Sequence, residues 1–115
     1  MKKVHIDKMT PRQLEYAFVK VAGMLIDKET AFIKMPSHMY SVYNMARLNI
    51  SNNLIMVKHM LSLKNLIIDT AKENNMFLAF YENTKATAHT ESMALIKCFL
   101  CYHTDGYVEM PEDIK

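Results

Sequence analysis

Only two glycines, Gly23 and Gly106, occur in 115 residues. Glycine supplies the left-handed corners of tight turns, so this scarcity argues against a loop-rich or all-β fold. It also excludes a phosphate-cradling loop, which needs several glycines close together. Arginine is nearly as scarce, with Arg12 and Arg47 standing among scattered lysines. Nucleic-acid sites show basic clusters with arginine prominent, and a net charge of +2 supplies no such field. Nucleic-acid binding is therefore a secondary expectation. The two cysteines, Cys98 and Cys101, lie three apart on one expected helix. That spacing disfavours a disulfide and predicts reduced thiols in a cytoplasm. No apolar run approaches the ~18 residues of a bilayer span. The start, Met1-Lys2-Lys3-Val4-His5-Ile6-Asp7, turns charged before any signal-peptide core can form. A cytoplasmic protein without a membrane partner is expected.

Half of the residues are hydrophobic and 23% are charged, a globular balance for a single domain spanning 1–115. The clearest element runs from Thr90 to Pro111. Thr90 is a suitable N-cap, Glu91 favours the helix dipole, and Asp105-Gly106 ends the helix. Leu95, Cys98, Phe99 and Tyr102 form one apolar stripe, while Met93, Ile96 and Leu100 form a second on the opposite face. A helix apolar nearly all round must be covered on both sides. The second row is expected to be covered by the chain or by a second copy, a homodimer being slightly favoured. Thr10-Pro11-Arg12-Gln13 predicts another helix start, with Thr10 and Gln13 forming a capping box and Pro11 in the first position. Leu14, Ala17, Phe18 and Val21 are its buried stripe, and Gly23 follows its end.

Between the two helices, Met24-Leu25-Ile26 and Ala31-Phe32-Ile33 predict a hairpin turning at Asp27-Lys28-Glu29, with one broken strand as the alternative. Pro36 to Asn49 is the least regular stretch. For Ser51 to Asn75 the periodicity allows one helix from Leu54 to Glu73. It equally allows a short helix near Asn53–Met60, a strand through Leu63–Ile68 and a turn at Lys72–Asn75. Met76 to Tyr81 reads as a strand, and Glu82 to His89 as a polar connection. Lys3 to Ile6 is either a short strand or coil. The expected class is α+β: a small, mostly antiparallel sheet packed with an N-terminal and a C-terminal helix, and further helix in the middle.

Both ends resemble the NinX-type proteins of tailed phages, a family of small proteins without an assigned activity. The first match is Met9-Thr10-Pro11-Arg12-Gln13-Leu14-Glu15-Tyr16-Ala17-Phe18-Val19-Lys20-Val21-Ala22-Gly23, similar to the family's opening helix. The second comprises Lys97-Cys98, Gly106 and Val108-Glu109-Met110-Pro111-Glu112. The family's tryptophans are missing, and Asn52-Asn53-Leu54 stands where it has Gly-Gly-Pro. The resemblance implies a small α/β sandwich of phage origin with strands in its centre. It transfers no catalytic residue.

Cys98-x-x-Cys101-x-His103, with His89 as a fourth ligand, has the residue types of a zinc site. Structural zinc sites draw cysteine pairs from tight turns, however, and this pair lies within a helix, so packing is the favoured reading. No oxyanion turn surrounds either thiol, and Glu73, Glu82, Glu91 and Glu109 show no acid–base pairing. No catalytic residue, cofactor or metal ligand is therefore assigned, and the chain is not expected to be an enzyme. The charge-poor stretch His38-Met39-Tyr40-Ser41-Val42-Tyr43-Asn44-Met45 is the best binding candidate, because tyrosine and methionine favour interface cores. Its alternative is that Tyr40 and Tyr43 cap the sheet internally. The candidate partner-binding residues are His38, Met39, Tyr40, Tyr43, Met45, Ile96 and Leu100. The expected function is that of a phage accessory protein binding a host or phage protein, in counter-defence or modulation of a host enzyme. The alternatives are a nucleic-acid-binding accessory protein and, behind it, a metal-dependent enzyme.

Overall fold

The computed structural model describes residues 1–35 and 39–115. Strand β1 (Lys2–His5) leads into helix α1 (Pro11–Val21), and the hairpin β2 (Leu25–Asp27) and β3 (Thr30–Lys34) follows. Next come β4 (Tyr40–Asn44), the single turn α2 (Met45–Leu48), a 3-10 turn at Ile50–Asn52 and α3 (Leu54–Leu63). The chain finishes with β5 (Asp69–Glu73), β6 (Met76–Tyr81), β7 (Thr84–Ala88), α4 (Glu91–His103) and β8 (Tyr107–Met110). The fold is α+β. Its strands are divided among three antiparallel sheets in the described residues, ordered β1-β8, β2-β3-β4 and β5-β6-β7.

Local chemistry accounts for the helix ends. The Thr10 hydroxyl accepts from the Gln13 N–H and the Gln13 side chain accepts from the Thr10 N–H, a complete capping box. At the other end Gly23 adopts φ +77°. The Gly23 N–H donates to Lys20 and the Met24 N–H to Val19, satisfying two carbonyls of the last turn. Asn65 performs the same task after α3, with φ +57°. Its N–H donates to Ser62, and the Leu66 N–H donates to Leu61. The long-helix reading of Leu54–Glu73 fails at this cap. Of the two readings, helix followed by strand is the one observed, with the strand at Asp69–Glu73 rather than Leu63–Ile68.

Helix α4 lies between the β5-β6-β7 sheet on one side and α1, α3 and the 3-10 turn on the other. The close approach to the sheet uses small residues: Ala79 faces Ala86 across the ladder, and Ala79 and Ala88 are buried. Strand β7 therefore has alanine where a strand is usually recognised by larger apolar residues, and this is why Glu82–His89 reads as a mere connection. On the opposite side Phe99 meets Phe18 edge-on, with ring centroids 5.1 Å apart. A polar chain threads the same region. Glu15 accepts from both the N–H and the hydroxyl of Ser51, and the buried Ser92 hydroxyl donates to the Ser51 carbonyl. Ser51 and Ser92, the buried polar side chains among the described residues, are thus satisfied.

The second apolar row of α4 is covered within the chain. Ile96 and Leu100 are wholly buried, and Met93 is half-buried. The expectation that Ile96 and Leu100 present a partner surface or a second-copy interface is corrected accordingly, since α1, α3 and the 3-10 turn supply the missing cover for the helix. None of the described helices is long and apolar enough to cross a membrane.

Candidate functional site

The sheet β2-β3-β4 is built from strands that alternate in the ordinary way, yet both of its faces are apolar. Ala31 and Ile33 point inward and are fully buried. Phe32, between them, points outward and is 44% exposed. On β4 the outward positions are Tyr40 and Val42, 57% and 61% exposed. The register places Phe32 directly opposite Val42 and Lys34 opposite Tyr40. The rings of Phe32 and Tyr40 lie diagonally across the ladder and stack, with centroids 4.8 Å apart and planes 8° from parallel. On β2, Ile26 is also exposed, at the irregularity where β2 shifts register against β3. Three large apolar side chains from two neighbouring strands therefore share one face that is exposed among the described residues, with Lys34 as its charged member.

The ends of this face are held by hydrogen bonds. The Met35 N–H donates to the Met39 carbonyl at 2.7 Å, extending the β3–β4 ladder. The Glu29 carbonyl accepts from the Met45 N–H at 2.8 Å, tying the β2–β3 turn to α2. Within that turn Asp27 accepts from the Glu29 N–H at 2.9 Å. This bond, with help from Thr30, holds the Asp27 carboxyl below its ordinary range.

The residues expected to bind a partner are sorted by this geometry. Met39 and Tyr40 are exposed and belong to the face or its margin. Tyr43 points to the other side of β4, half-buried, and its hydroxyl donates to the Met35 sulfur at 3.2 Å. Met45 is buried, so it anchors α2 and does not belong to this exposed face, a second correction. His38 lies outside the described residues. Sequence reasoning missed Phe32 and Ile26, which it placed in an ordinary hairpin, and it included Val42 in the candidate stretch 38–45 without singling it out. The signal was the uninterrupted run Ala31-Phe32-Ile33, where a strand with one wet face should alternate with polar residues.

The zinc-type residues are dispersed in role. Cys98 is fully buried with its sulfur 3.8 Å from the Thr84 carbonyl, and Cys101 is half-buried. Burial, aided by the neighbouring Cys101, pushes the Cys98 thiol up to about 11. The His103 ring rests against Phe99 and Tyr102, at 4.5 and 5.1 Å, while His89 is exposed. Among the described residues no three His, Cys, Asp or Glu side chains converge as metal ligands. Comparison with models of protein families, with curated proteins and with solved structures finds no match to this chain.

Proposed function

We propose that this protein acts by binding another protein, and that the outer face of β2-β3-β4 is its contact surface. The observation that carries the reading is the stacked Phe32–Tyr40 pair beside Val42, left open to water on a rigid ladder. Rigid aromatic side chains give large contact area at little cost in conformational entropy, and contiguous exposed apolar patches mark interaction sites. The work is association rather than chemistry, and no catalytic residue is assigned. The likeness of both chain ends to NinX-type phage proteins supports placing the partner in an infected bacterium, as a host or phage protein. Counter-defence or modulation of a host enzyme is the role that follows.

Comparative capture from host lysate tests the reading. Wild-type protein and the Val42→Asp and Ile67→Asp variants serve as baits, Ile67 being an exposed apolar residue of the β5 approach. A specific protein retained by wild type and Ile67→Asp but lost from Val42→Asp is the expected result. Equal retention by all three baits, or no specific retention by wild type, overturns it.

A further inference from the structure

A cleft of about 300 Å³ opens where α1 meets the β2–β3 turn and α2. It shares none of the residues of the apolar face. Its wall includes two cations and two carboxylates, Arg12 and Lys28 against Glu15 and Glu29, so neither sign prevails. Two of the four are already engaged. Glu15 holds the N–H and hydroxyl of Ser51, and the Lys28 ammonium is bonded to Asp113 at 2.8 Å. Arg12 and Glu29 are different: they stand 3.9 Å apart, and neither side chain makes a hydrogen bond among the described residues.

Tyr16 supplies a third polar group to the cleft wall. It follows Arg12 by four residues, on the same face of α1. Its ring is buried, with 4% of the residue exposed, while its hydroxyl is not among enclosed polar atoms left without a partner: among the described residues there are none. Tyr16 lines the cleft together with Lys28, and burial raises its pKa, leaving it a neutral O–H donor. The remaining wall is apolar, from Met45, Ala46 and Ile114.

We propose that this cleft binds a small zwitterion, an α-amino acid with an apolar side chain. Its carboxylate would be held by the Arg12 guanidinium and the Tyr16 hydroxyl, its ammonium by Glu29, and its side chain by Met45, Ala46 and Ile114. A purely anionic ligand would meet Glu29, and a purely cationic one Arg12. The zwitterion replaces the loose Arg12–Glu29 pair with two charge-assisted contacts. The volume is at the small end of ligand cavities, which suits one amino acid.

The test is calorimetric titration and thermal melting of the full chain with L-leucine, N-acetyl-L-leucine and L-leucinamide, the last two each lacking one charge. L-leucine is expected to bind with a Kd of about 1 mM or tighter and to raise the melting temperature. Each blocked form is expected to bind about tenfold more weakly. Arg12→Gln, at an exposed position, and Tyr16→Phe are expected to weaken leucine binding about tenfold, with native circular dichroism retained at least in the former. Absence of heat and of a melting shift with L-valine, L-leucine, L-methionine and L-phenylalanine at about 10 mM overturns the proposal. Blocked forms that bind as well as leucine, or an Arg12→Gln protein that binds it like wild type, do the same.

Discussion

Cys98 shows how little chemistry a buried thiol carries here. It is fully enclosed between α4 and β7, and desolvation holds it protonated to about pH 11. Only the thiolate is a nucleophile, so Cys98 is expected to resist alkylation at neutral pH while half-buried Cys101 reacts first. Counting thiols modified by iodoacetamide in native and denatured protein checks this, and rapid native modification of Cys98 would refute it. The linkage has a definite sign. The folded thiol titrates above its ordinary value of 9.0, so the unfolded chain loses its proton first. The contribution of the neutral thiol is therefore complete below pH 9 and declines as pH rises toward about 11. Asparagine carries a second lesson at this scale. Asn49, Asn65, Asn74 and Asn75 all adopt positive φ, so asparagine does much of the turning that two glycines cannot. Asn74-Asn75 joins β5 to β6 with both residues left-handed, the backbone that a two-residue hairpin loop requires.

At the level of elements, Asn65 decides whether the chain after α3 becomes helix or strand. Its left-handed backbone closes the cap, and a β-carbon without a compensating side chain is disfavoured there. Asn65→Ala is expected to cost about 1 kcal/mol and Asn65→Gly almost nothing. Urea midpoints of the two variants measure the difference, and equal midpoints would mean the cap is unimportant. Helix starts were legible in the sequence because Thr10, Gln13 and Thr90 satisfy backbone donors locally. The end of α1 was legible because glycine marks it. The end of α3 was not, since Asn65 fits the polar face of a longer helix as well as it fits a cap. Strand β7 was hidden for another reason: Ala86 and Ala88 are set by the nearness of α4, a tertiary demand with no local pattern. The hairpin of β2 and β3 was visible from its two apolar runs, but its division of inward and outward residues depends on which side the core occupies. Met39, Tyr40 and the stretch that holds Val42 were therefore found from composition, and Phe32 only from the ladder.

Across the whole molecule the apolar inventory is used unequally. α4 is enclosed by the β5-β6-β7 sheet, α1, α3 and the 3-10 turn, so a helix apolar on nearly every side is spent on the core. The β2-β3-β4 sheet instead buries Ala31 and Ile33, and among the described residues its other side has no covering layer. That asymmetry makes the Phe32–Tyr40–Val42 face the centre of the functional account. Photo-crosslinking tests it most directly, with benzoylphenylalanine placed at position 40 and, as control, at position 67, both in cells holding the partner. Position 40 is expected to give a discrete adduct with a different protein, while position 67 gives none. No adduct from position 40, an adduct only with the protein itself, or the same adduct from position 67 would contradict the account.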